Sequence, residues 1–68
     1  MKSLKKQIGG SHYQNFKIQP AEFINKNKLL FAEGNAIKYI CRHPHKGGIQ
    51  DIEKAIHYLE MVKERDYK

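Results

Sequence analysis

Pro44 and the Gly47-Gly48 pair separate two stretches of helical apolar periodicity, and this break decides what the chain can fold into. Proline ends a helix because it lacks an amide hydrogen and its ring clashes with the preceding turn. The two glycines then let the backbone turn. So short a connection is expected to pair the flanking helices roughly antiparallel. Downstream, Ile52, Ala55, Ile56, Leu59 and Val62 recur at i, i+3, i+4, i+7 and i+10, which predicts a helix from about Ile49 to Asp66. Asp51 and Glu53 open that helix and Lys63 and Arg65 close it, the favourable order for the helix dipole. Upstream, a helix is expected from about Phe31 to His43, with Arg42 and His43 in its last turn.

Pro20 suits the first position of a shorter helix, expected over 20–26 and burying Phe23 and Ile24. Asn25-Lys26-Asn27-Lys28 breaks it, and Leu29 and Leu30 are expected to enter the core. Gly34 destabilises a helix by about 1 kcal/mol relative to alanine, a position where another backbone or a ligand comes close. Residues 1–10 end in Gly9-Gly10 and read as a flexible basic arm. Residues 11–68 read as one small helical domain. Its first segment, 11–19, is too short for a helix before Pro20, so it is expected to lie extended over the helices, anchored by Tyr13, Phe16 and Ile18. The expected class is all-α: an extended N-terminal arm, one short helix and an antiparallel helical hairpin.

A chain of 68 residues buries only roughly 60% of its unfolded surface, and its single cysteine, Cys41, allows no internal disulfide. Homo-oligomerisation is therefore expected. The 13 basic and 7 acidic residues give a net charge of +6, which favours polyanionic partners: nucleotides, nucleic acid or an acidic surface. No apolar run is long enough to span a membrane, and the basic N-terminus lacks the apolar stretch of a signal peptide. A reducing cytoplasm is the expected location.

At about 100° per residue, the central helix has two unlike faces. Ala36, Ile37, Ile40 and Cys41 fall on one. Asn35, Lys38, Tyr39 and Arg42 fall on the other, at i, i+3, i+4 and i+7. An amide, two cations and a phenol within two turns offer hydrogen-bonding, charged and stacking chemistry suited to a phosphate-bearing, base-bearing ligand. In an antiparallel hairpin Asp51, Lys54 and Tyr58 converge on this face, with Lys46 in the turn. His12 and Tyr13 are candidates to reach it from the arm.

Several motifs act together: His12-Tyr13-Gln14, Ile18-Gln19-Pro20-x-Glu22-Phe23-Ile24, Glu33-Gly34-Asn35-x-Ile37-Lys38-Tyr39-Ile40-x-Arg42, Lys46, Gly48, Asp51-Ile52-x-Lys54-Ala55 and Tyr58-Leu59. This combination resembles a small domain family of unknown function common in bacteriophages and prophages, sometimes described as nucleotide kinase-like. The resemblance covers about residues 11–60. It implies a phage origin, hence the cytoplasm of an infected or lysogenic host, and a connection to nucleotides. Small oligomeric phage proteins also sequester the nucleotide signals of bacterial defence, a comparison of role and size.

Each candidate has a plainer alternative. Lys38, Arg42, Lys46 and Lys54 either hold phosphate, helped by the Gly47 and Gly48 amides, or are solvated or paired with Asp51 and Glu33. Tyr13, Tyr39 and Tyr58 stack on a base or pack between helices and subunits. Asn35 reads a base edge or bonds a neighbouring backbone. Cys41, His43 and His45 lack paired metal-ligand spacing, so no metal site is expected. No P-loop is present, and the carboxylates available for Mg²⁺ are Glu22, Glu33 and Asp51, combined across subunits if at all. Binding of a nucleotide or cyclic (oligo)nucleotide at subunit-interface pockets, with sequestration, is therefore placed first. A phosphotransferase acting on nucleoside monophosphates, the one reading that needs Mg²⁺ as cofactor, comes second. A nucleic-acid or protein interaction module comes third.

Overall fold

The computed structural model describes residues 16–68, which form three α-helices and, within that range, no strand. These are α1 (Pro20–Lys26), α2 (Phe31–Arg42) and α3 (Ile49–Asp66). The antiparallel hairpin of α2 and α3 is the main packing unit, and α1 lies against α2. The expected basic arm, residues 1–10, and residues 11–15 of the expected extended segment lie outside the described residues.

Each boundary has a local cause. Pro20 opens α1 after an extended Gln19, and a Glu22–Lys26 ion pair of 2.9 Å runs along its surface. The helix closes in a Schellman turn. Lys28 adopts a positive φ of 53°, its amide donates to Asn25 O and the Leu29 amide donates to Ile24 O. The Asn27 side-chain amide donates to Phe23 O at 2.9 Å. Helix α2 stops at Arg42, one residue before the expected end. The Arg42 carbonyl instead accepts the amides of His45 and Lys46 as the chain turns through Pro44. Gly48, with φ 56°, caps the start of α3.

Close packing rests on small residues. Ala32 and Ala36 of α2 and Ala55 of α3 are buried, as is Pro20 at the start of α1. Gly34 is buried where α1 crosses α2, and a Cβ there would lie 3.0 Å from Ile24 Cγ2. The close approach expected at Gly34 is thus made by Ile24. At the far end of the hairpin, Arg65 of α3 donates through Nη1 to Glu33 Oε1 at 3.2 Å and through Nη2 to Glu33 Oε2.

Three expected core positions are corrected. Phe23 is 46% exposed and Leu30 58% exposed, and Ile18 is exposed as well. Two long helices and one of seven residues form too few layers to enclose these side chains. Ile40, Ile56 and Leu59 stay about half exposed for the same reason.

Candidate functional site

The antiparallel pairing places the polar face of α2 beside the first half of α3. Tyr39 and Tyr58 meet there with nearly parallel rings, 6.0 Å between centroids and 7° between planes. At that centroid separation parallel rings are laterally offset, the favoured stacked geometry. Phe31, one turn before Asn35 on the same face, meets Tyr58 edge-on at 5.9 Å. The two tyrosines therefore serve first as a contact between helices.

Three cations crowd around Tyr39. Lys38 Nζ is 5.0 Å from the ring centroid, Lys54 Nζ 5.2 Å and Arg42 Cζ 5.4 Å. The negative ring face attracts each of them, by about 0.5–1 kcal/mol at exposed sites. Yet the three positive charges also repel one another. Asp51 balances Arg42: it is 1% exposed and accepts the Arg42 Nε–H at 3.0 Å. Among the described residues Arg42 bonds through Nε, and no bond is made through Nη1 or Nη2. Lys54 pairs with no described carboxylate.

The same Asp51 oxygen accepts the Gly47 amide at 3.0 Å, and the Gly48 amide donates to His43 O. Both glycine amides expected to bind phosphate are thus spent within the turn. A carboxylate in the first turn of α3 reaches back and satisfies a donor that would otherwise be orphaned.

Beside this cluster lies a cavity of about 250 Å³ between α1, the α1–α2 loop and the start of α2. Pro20, Ala21, Ile24, Leu29, Leu30 and Gly34 supply apolar walls, and Phe31, Asn35, Gln19 and Lys38 complete the lining. Lys38 borders both the cavity and the Tyr39 ring, so the two features are continuous.

Of the residues singled out in the sequence, Lys38, Tyr39, Arg42, Asp51, Lys54 and Tyr58 come together, with Asn35 on the adjoining cavity wall. Lys46 is exposed in the turn. His12 and Tyr13 fall outside the described residues. Phe31 and the α1 wall of the cavity were not anticipated. Phe31 extends the face of Asn35 and Tyr39 by one turn, a periodicity that could have revealed it.

The carboxylates considered for Mg²⁺ are all held in ion pairs. Glu22 pairs with Lys26, Glu33 with Arg65 and Asp51 with Arg42, each within the chain and each on a different helix. Among the described residues no three His, Cys, Asp or Glu side chains gather as a metal site. Burial pushes the Cys41 thiol above its usual pKa.

The profile of a protein family of unknown function, DUF3310, matches residues 7–60. The chain belongs to the DUF3310 family. No curated protein and no solved structure matches it. The matched span of this DUF3310 domain takes in the whole Tyr39 cluster and the cavity, and ends before the last part of α3. No helix among its described residues is long and apolar enough to cross a membrane.

Proposed function

We propose that this DUF3310 domain binds a nucleotide or cyclic (oligo)nucleotide on the Tyr39 face of its helical hairpin and sequesters it. The observation that supports this reading is the gathering of Lys38, Lys54 and Arg42 within 5.0–5.4 Å of one tyrosine ring, with Asp51 bonded to Arg42. Such a concentration of positive charge is unfavourable by itself and is relieved by a multiply charged anion. Arg42 holds phosphate through its outer guanidinium edge, and Lys38 and Lys54 act as point charges. Lys46 adds charge from the turn.

The half-exposed Ile40, Ile56 and Leu59 support assembly into a homo-oligomer that covers them and places the sites at or near subunit interfaces. The resemblance to small bacteriophage and prophage domains supports a role in withholding a bacterial defence signal. Binding ranks ahead of phosphoryl transfer because that reaction needs metal-holding carboxylates, and the three considered for Mg²⁺, Glu22, Glu33 and Asp51, are ion-paired on separate helices.

The test is to incubate the purified protein with a panel of mono-, di- and cyclic nucleotides plus Mg²⁺, wash, denature, and chromatograph what is released. One compound depleted and recovered intact is the expected result. Recovery with an altered phosphate count would replace sequestration by catalysis. Retention of nothing would overturn the reading.

A further inference from the structure

The cavity between α1 and α2 differs in character from the cation cluster it adjoins. Its walls are carbon surfaces from Pro20, Ile24 and Leu29, and Gly34, against which Ile24 packs, also lines it. Two half-buried amides, Gln19 and Asn35, line it, and the Asn35 side chain makes no hydrogen bond to another described residue. An amide in a mostly apolar wall carries both a donor and an acceptor. That pattern suits a planar, uncharged ring with a mixed donor–acceptor edge, since burying such an edge is unfavourable without a partner.

The spacing ties this cavity to the cations. Asn35, Lys38 and Arg42 follow one another at i, i+3 and i+7 along one face of α2. At 1.5 Å per residue the rise from Asn35 to Arg42 is about 10 Å, which accommodates a ribose and its phosphate. Lys38 stands between the two ends, bordering the cavity and lying 5.0 Å from the Tyr39 ring.

We infer that the α1–α2 cavity is a nucleobase subsite: it takes the base, Asn35 bonds the edge of that base, and the phosphate runs along α2 to Lys38, Lys54 and Arg42. This inference rests on the nucleotide-binding reading above and assigns the part of the ligand that the cations do not recognise.

Cavity-filling substitutions test it. Ala21 lies on the wall at an exposed helix position, so Ala21→Phe places a ring in the space the base would occupy. Leu30→Trp blocks the same cavity from an exposed rim position and decides the matter if Ala21→Phe loses its helical circular dichroism. Titrations compare the nucleotide best retained by the native protein with ribose 5-phosphate. The expected result is that the native protein prefers the nucleotide at least tenfold, and that the blocked variant binds both equally and as weakly as native protein binds ribose 5-phosphate. Asn35→Leu narrows the difference between nucleotides carrying different bases.

A folded, blocked variant that binds the nucleotide with native affinity overturns the subsite while leaving the cation site standing. Native protein that binds ribose 5-phosphate as tightly as the nucleotide does the same. Preference for dodecyl phosphate over every nucleotide also overturns it, because the cavity would then hold an alkyl chain. Native protein that binds neither nucleotide nor ribose 5-phosphate removes the underlying reading together with the subsite.

Discussion

Asp51 accepts the Nε–H of Arg42 at 3.0 Å and is almost wholly buried, so one ion pair joins the end of α2 to the beginning of α3. The same carboxylate holds the Gly47 amide. Arg42 therefore has one edge in the fold, and the proposed binding uses the other. Asp51→Ala leaves a partly buried guanidinium and a turn amide without their acceptor. Removal of one partner from a buried pair destabilises by about 3 kcal/mol or more. Arg42 is 20% exposed on its side chain, which places the expected loss near the lower end of that scale. Urea unfolding followed by circular dichroism measures it.

Gly47 tests the same junction from the backbone side. A Cβ there would sit 2.2–2.4 Å from the Asp51 carboxyl atoms. Asp51 cannot swing away without breaking both of its bonds. Gly47→Ala is expected to destabilise by about 1–3 kcal/mol, the range for overpacking a filled site. Native-like stability would show that the Asp51 carboxylate is free to move.

Acid sensitivity follows from the opposite end of the hairpin. Hydrogen bonds from Arg65 hold the Glu33 carboxyl below its usual pKa. A carboxylate with a depressed folded pKa contributes stability above its unfolded pKa of about 4.5, and that contribution is lost as pH falls through the lower, folded value. The pair is exposed, so its effect is small and screened by salt. Unfolding midpoints taken from pH 6 down to pH 3 should fall less steeply in Glu33→Gln than in the native chain, and the difference should shrink in high salt.

Lys28 occupies a left-handed conformation in the turn after α1. A side chain there is strained by about 1–2 kcal/mol, which glycine avoids. Part of that gain is offset by the greater chain entropy of glycine when unfolded. Lys28→Gly should raise stability by about 0.5–1 kcal/mol, seen as a higher thermal midpoint, and leave ligand binding unchanged.

The helices were legible in the sequence because Pro20, Pro44 and the Gly47-Gly48 pair impose local backbone limits that tertiary packing seldom overrides. The meeting of Tyr39, Arg42 and Lys38 with Asp51, Lys54 and Tyr58 was legible because helical angle and antiparallel pairing fix which faces meet. Burial was not. Phe23 and Leu30 read as core residues, but exposure depends on how many layers the fold builds, and helical period carries no such information. The cavity was hidden too, because it exists only once Ile24 docks over Gly34. The role of Asp51 turned on a side-chain distance: the same residue type in the same first turn served equally well as a ligand contact or as a fold-holding anion.

The most direct test of the account is the affinity of the best-retained nucleotide for native protein and for the double variant Lys38→Gln, Lys54→Gln, measured by titration calorimetry at low and moderate salt. Both substitutions leave the Asp51–Arg42 pair intact, so the fold should persist. Each lost charged hydrogen bond to phosphate is expected to weaken binding by about 1.5–3 kcal/mol. Affinity is expected to drop at least a hundredfold, with a shallower salt dependence in the double variant. Unchanged affinity in a folded double variant would contradict it and place the ligand, if there is one, away from the Tyr39 face.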